Sequence, residues 1–254
     1  MSGRLMVVGL GPGGDRYLTR EAADALQSAG ALYGYRAYLD RVPAREGQAR
    51  YPSDNREEDA RAEAALRHAA DGARVAIVSG GDPGVFAMAA SVCEAIEAGP
   101  EAWRALDIVM VPGITAMLAV AARAGAPLGH DFCALSLSDN LKPWELIERR
   151  LDAAARAGFV IALYNPVSRA RPWQLAQAFA LLARHLPEAT PVIFGRAVER
   201  PDESVTVTTL VAAGDIAADM ATLIIVGSKE TRLIARPGQS PLVYTPRAIE
   251  RVSA

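Results

Sequence analysis

Four glycine- and proline-rich segments are where residue type and spacing in this sequence could do chemistry: GLGPGG at 9–14, SGGDPG at 79–84, VPGIT at 111–115 and LYNP at 163–166. Each follows a short apolar run. Glycine lacks a Cβ, so such backbone can lie close to a flat or extended ligand. Gly9, Gly11 and Gly14 match G-x-G-x-x-G, the spacing that cradles a dinucleotide pyrophosphate. Two details weigh against a nicotinamide cofactor. Asp15–Leu18 intervene before the helix signal at Thr19, and the second strand ends at Gly34-Tyr35 with Asp40 beyond it rather than in an acidic residue. A tight turn without a ligand is the stronger reading of that spacing. Asp82 stands where a helix is about to start, so it either caps that helix or meets a polar ligand.

Candidate proton acceptors are few. Asp139 follows a strand in SLSD and could equally close a turn or cap the next helix. His130 has the most suitable intrinsic pKa, about 6.5, and stands at the end of the best linker candidate. His68 and His185 fall in polar helical stretches and are expected to be exposed and inert, and Arg149-Arg150 to be a solvated helix face. Cys93 and Cys133 fall in apolar runs and read as small buried hydrophobes. With three scattered histidines they supply no zinc-ligand spacing, so no metal is expected.

These loops must be positioned by alternating strands and helices. Strands are predicted at 5–8, 31–35, 74–79 and 107–111, with helices from Thr19 to Leu26 and over 57–70, 85–98 and 115–124. That βαβ rhythm implies a parallel sheet covered on both faces. Gly125-Ala-Pro-Leu-Gly129 breaks it and reads as a linker. Strands at 132–136, 159–164, 191–196, 204–209 and 221–226, with helices at 143–157 and 172–185, follow. The fold class is α/β in two domains, 1–125 and 130–254, and ligands belong outside the carboxyl ends of parallel strands.

Composition bounds the function. The chain has 254 residues, 51% hydrophobic and 22% charged, with 27 basic and 29 acidic side chains for a net charge of −2. This is ordinary globular usage. It does not favour a nucleic-acid partner, which usually shows a basic excess. No run approaches the roughly 20 apolar residues of a membrane span, and MSGRLMVVG is too short for a signal-peptide core. A reduced, cytoplasmic setting follows from the cysteine usage.

GLGPGG, SGGDPGVF, VPGITA and LYNPVSRARPWQL together, in this order along essentially the whole chain, resemble the signature set of the tetrapyrrole (corrin/porphyrin) methylase family. LYGYRAYLD, DFCALSLSDNLKPW and LYNPVSRAR resemble the branch that methylates carbon 17 of precorrin-3B with ring contraction to precorrin-4, in cobalamin (vitamin B12) biosynthesis. The cobalt-dependent version of that step, or a methylase acting on another ring carbon, is the alternative. A non-catalytic sensor of S-adenosylmethionine (SAM) would also keep the glycine loops. The resemblance implies a homodimer of two-domain α/β subunits, with SAM bound in a cleft between the domains and S-adenosylhomocysteine as product. No cysteine-rich extension follows, so no iron–sulfur role is expected.

Carried over position by position, the resemblance implies that Gly80, Gly81, Asp82, Val85, Phe86, Thr115, Ala116, Tyr164, Asn165, Ala197, Thr209 and Leu210 bind SAM. Gly11 and Pro12 match the first loop, which the resemblance implies lies beside the tetrapyrrole as much as beside SAM. That substrate carries many carboxylates, so Arg36, Lys142, Arg169 and Arg171 are expected to face it, Arg16 either to face it or to be a solvated charge, and Tyr17 either to floor the macrocycle or to pack a domain surface. Asp139 and His130 remain the catalytic candidates. Tyr33, Tyr35 and Tyr38 either floor the macrocycle or pack domain surfaces, packing being favoured for Tyr33; Trp103, Trp144 and Trp173 read as core or interface residues.

Overall fold

A computed structural model of the protein describes residues 3–248. The domain ends expected at 1 and 254 lie outside the described residues. The chain divides into two compact units between Thr115 and Ala116, ten residues before the boundary expected at 125.

The first unit runs β1 (Arg4–Gly9), α1 (Arg20–Ser28), β2 (Ala31–Tyr35), α2 (Arg36–Leu39), β3 (Ala49–Ser53), α3 (Glu58–Ala70), β4 (Arg74–Ser79), α4 (Met88–Ala98) and β5 (Asp107–Val111). Its five strands are all parallel, in the order β3-β2-β4-β1-β5. Side chains alternate across a strand, so the apolar run of β1 feeds two cores. Leu5 and Val7 pack on one face with Ile77, Leu66 and Trp103. Met6 and Val8 pack on the other with Leu32, Val78 and Leu26. Thr19 caps α1 as expected, its Oγ1 accepting the Ala22 N–H at 3.1 Å. Strand β3 and the short α2 are additions to the sequence reading: ARYPS is mostly polar and carries a proline, which suits only an edge strand.

The second unit runs α5 (Ala116–Ala124), β6 (Gly125–Ala126), β7 (Phe132–Ser136), α6 (Trp144–Ala157), β8 (Val160–Tyr164), α7 (Gln174–Leu182), β9 (Pro191–Arg196), β10 (Ser204–Thr209), β11 (Thr222–Val226), β12 (Arg232–Arg236) and β13 (Gln239–Tyr244). Its main sheet, β10-β9-β11-β8-β7, is parallel only between β7 and β8. Leu151, Leu163, Leu182, Phe194 and Ile224 centre its core. Gly158 ends α6 in the left-handed conformation at φ 83°, as a helix-terminating glycine does. The presumed linker is structured, Gly125-Ala126 pairing with β13. The β12–β13 hairpin is a further addition.

Several expectations are corrected. Cys93 is exposed rather than buried, and Cys133 is half-buried, packed against the core of the second unit. His68 and His185 are half-buried and bonded, to Tyr33 Oη at 3.2 Å and to Asp152 at 2.7 Å. Among the described residues no helix is long and apolar enough to cross a membrane.

Candidate SAM and tetrapyrrole site

In the first unit β4, β1 and β5 are adjacent and parallel, so three of the four motif loops leave the same edge of the sheet. Their backbones touch. Gly11 and Gly81 exchange both N–H···O bonds, at 3.1 and 2.9 Å. A Cβ on Gly113 would stand 2.2 Å from the Gly81 carbonyl oxygen, and one on Gly9 2.7 Å from the same atom. Glycine is therefore required here by backbone packed on backbone.

Asp82 joins this junction. Its Oδ1 accepts the Gly84 N–H at 2.8 Å and its Oδ2 the Gly113 N–H at 3.0 Å. The capping reading of Asp82 is thus corrected, since α4 starts only at Met88 and the carboxylate is used by the two loops. The residues between them form an irregular turn, because Phe86 takes φ +52° and cannot sit in a right-handed helix. Phe86 is also 51% exposed. Tyr38 lies against Gly80, where a Cβ would meet its ring at 2.7 Å, and packs edge-on to Tyr35. Tyr33 stacks on Tyr51 at 4.4 Å, the packing role expected for it. Pro12 and Thr115 are buried, Gly80, Gly81, Val85 and Tyr17 half-buried, and Arg16 and Arg36 exposed.

In the second unit the parallel pair β7–β8 brings Ser136 beside Tyr164. Asn165, the next residue, holds φ +51° and donates from Nδ2 to Ser136 Oγ at 3.0 Å. Asparagine is among the few side-chain-bearing residues that tolerate this region. Tyr164 Oη accepts the Met117 N–H at 3.1 Å, tying this loop to α5 beside Ala116. Arg171 is 6% exposed, and its guanidinium donates to the Asn165 carbonyl at 3.0 Å. Nearby, Lys142 Nζ donates to Ser138 O at 3.3 Å, and Asp139 Oδ2 accepts from buried Gln174 at 3.1 Å. Burial first, then Arg150 and Arg171, push the Lys142 pKa down against the pull of Asp139. Arg169 is exposed.

Ala197 follows β9 at φ +48° and is buried. Leu210 anchors on Thr190 O at 2.9 Å, next to half-buried Thr209. His130 Nδ1 accepts the N–H of its neighbour Asp131 at 2.6 Å.

The structure thus brings Gly11, Gly81 and Asp82 together in the first unit, and Tyr164, Asn165 and Arg171 in the second. Sequence reasoning missed Arg41, Ser136, Gln174 and the cluster of Arg123 with Glu199 and Glu203. None lies in a glycine motif; only the polar Ser136 and Gln174 beside expected strand and helix ends gave any signal.

The model of the Tetrapyrrole (Corrin/Porphyrin) Methylases matches residues 4–213, and the chain belongs to that family. Within it, the chain is 62% identical over 247 residues to a Sinorhizobium sp protein named precorrin-3B C(17)-methyltransferase, covering 97% of each. It is similar to the crystal structure of the methyltransferase CobJ, with a TM-score of 0.91 and 48% identity over 96% of this chain and all of that one. A uroporphyrin-III C-methyl transferase from Thermus thermophilus, solved with S-adenosylhomocysteine, shares the fold at a TM-score of 0.67 and 24% identity, over 89% and 97% of the two chains.

Proposed function

We propose that this protein transfers the methyl group of SAM to carbon 17 of precorrin-3B, with ring contraction to precorrin-4, in cobalamin biosynthesis. The 62% identical relative supports the substrate and the position methylated. One structural observation carries the SAM site. Among the described residues five non-glycine residues have positive φ, and three of them, Phe86, Asn165 and Ala197, are positions matched to SAM. Strained backbone of this kind costs about 1–3 kcal/mol per residue and gathers at ligand clamps.

Bound SAM supplies an electrophilic methyl on a sulfonium whose positive charge fades as the methyl leaves. A site that solvated the sulfonium strongly would favour the ground state over the transition state. The residues fit this requirement. The Asp82 carboxylate is turned onto two backbone N–H groups, and exposed Phe86 and half-buried Val85 offer apolar wall. Asp82 then acts through the backbone it holds. Gly80, Gly81, Thr115, Ala116, Tyr164, Thr209 and Leu210 complete the set. Gly11, Pro12, Tyr17, Arg36, Lys142 and Arg169 serve the tetrapyrrole. Buried Arg171 serves it indirectly, by holding the Asn165 loop. Alignment of two large reactants supplies about 7–11 kcal/mol through orientation. Asp139 and His130 are the residues able to take a proton in the ring-contracting step. The enzyme works as a cytoplasmic homodimer without metal, nucleic acid or membrane.

Calorimetric titration tests the SAM site, and SAM at 100 times its dissociation constant should add about 2.7 kcal/mol to unfolding stability. Incubation with precorrin-3B and SAM, read by mass and absorption spectrum, tests the reaction. Binding of NAD but not SAM, or a methyl on another ring carbon, overturns the reading.

A further inference from the structure

Arg41 lies two residues beyond α2, far along the chain from the glycine motifs. One of its guanidinium nitrogens donates to the carbonyl oxygens of Leu10 and Gly11 at 2.9 Å each and of Gly13 at 2.7 Å. All three acceptors belong to GLGPGG. Hydrogen bonds from a charged donor are about twice as strong as neutral ones, so the loop is curled around a cation supplied from outside it.

The curl fixes the loop's polarity. In a trans peptide the N–H of the next residue points opposite to the carbonyl. With the Leu10 carbonyl turned to Arg41, the Gly11 N–H points the other way and donates to Gly81 O at 3.1 Å. The same guanidinium therefore orients the loop and delivers Gly11 to the junction with the GGDP loop. Without it, the Leu10 and Gly13 carbonyl oxygens would lose this donor and could turn outward to repel a polycarboxylate, while the Gly11 carbonyl keeps the Gly81 N–H at 2.9 Å.

We propose that Arg41 is a positioning residue for the tetrapyrrole, holding the GLGPGG loop with its carbonyl oxygens bound to a cation and away from the substrate's carboxylates. This rests on the reading that the loop serves the tetrapyrrole. Arginine suits the role because its guanidinium is planar and always charged, so the one nitrogen that meets all three carbonyls is held in a fixed orientation, whereas lysine offers a point charge on a flexible stem.

The test uses the full chain with Arg41→Ala and Arg41→Lys. Thermal unfolding, the SAM dissociation constant by calorimetry, and KM and kcat with precorrin-3B are measured for each. The Arg41→Ala change should raise the KM for precorrin-3B about tenfold to hundredfold, weaken SAM binding by a smaller factor because the Gly11–Gly81 backbone pair remains, and recover in millimolar guanidinium. Arg41→Lys, which keeps the charge, should show the same split in smaller measure and carries the test if the alanine variant does not fold. An unchanged KM for precorrin-3B, or equal losses toward SAM and tetrapyrrole, overturns the role. A parent enzyme inert toward precorrin-3B overturns the functional reading and this inference with it, whereas an active parent with unaffected variants overturns the role of Arg41 alone.

Discussion

Asp82 Oδ2 accepts the backbone N–H of Gly113 at 3.0 Å, across 31 residues of sequence. Its other oxygen accepts the Gly84 N–H, so the loops after β4 and β5 behave as one piece. Asp82→Asn sets an amide N–H₂ against one of these donors. The expected loss is about 1–3 kcal/mol of stability, the cost of an unsatisfied donor, together with weaker SAM binding. Urea unfolding and calorimetric titration check both, and a variant equal to the parent in both would count against the clasp.

The glycines divide into those facing backbone and those facing a movable side chain. Gly113→Ala drives a Cβ to within 2.2 Å of the Gly81 carbonyl oxygen. It should abolish SAM binding, with no second substitution able to restore it. Gly80→Ala meets only the Tyr38 ring, at 2.7 Å. SAM affinity lost there should return in the Gly80→Ala/Tyr38→Ala double variant, measured by a double-mutant cycle.

Asn165 combines a left-handed backbone with a hydrogen bond to Ser136. Asn165→Val should cost about 1–2 kcal/mol for the backbone alone, plus the lost bond. Asn165→Gly relieves the backbone and loses only the bond, so it should unfold at a higher temperature than the valine variant. The opposite order of melting temperatures would show that the positive φ is not a constraint.

Lys142 sets stability against substrate binding. Burial and the Arg150 and Arg171 charges hold its folded-state pKa below the ordinary 10.5. Between those two values the unfolded chain binds more protons than the folded one, so stability rises with pH there. Below both, the folded state bears the full cost of the charged lysine. Lys142→Met should therefore melt higher than the parent at pH 7, with the gap closing as pH approaches 10.5, while its KM for precorrin-3B rises. A gap that widens with pH would contradict this sign.

Neither candidate acid–base residue is expected to be indispensable. Asp139 is engaged by Gln174, and His130 accepts its neighbour's N–H. A positioned general base contributes about 10²–10⁴-fold. Asp139→Asn and His130→Ala should each lose less than about 10²-fold in the chemical step. Single-turnover measurements at saturating SAM and tetrapyrrole decide it. A loss above about 10³-fold in a folded, SAM-binding variant would identify that residue as the base.

The periodic elements and the glycine loops were legible because their causes are local. An apolar run such as Leu5–Val8 makes a buried strand wherever it lies, and a glycine at a strand end signals close backbone approach before any neighbour is known. The order of the motifs along the chain likewise pointed to the family. Tertiary structure alone decided what each loop touches. Asp82 read as either a helix cap or a ligand contact because chain proximity is all that sequence spacing reports, whereas its partner Gly113 is brought near by parallel pairing of β1 with β4 and β5. Arg171 looked like a surface charge for substrate, yet its guanidinium is buried on the Asn165 carbonyl. Arg41 had no signature because a side chain that binds three carbonyls needs only their positions, and carbonyls carry no residue identity. The edge strand β3 was missed for a related reason: its mostly polar sequence forms a strand through hydrogen bonds to β2, which no pattern within the segment encodes.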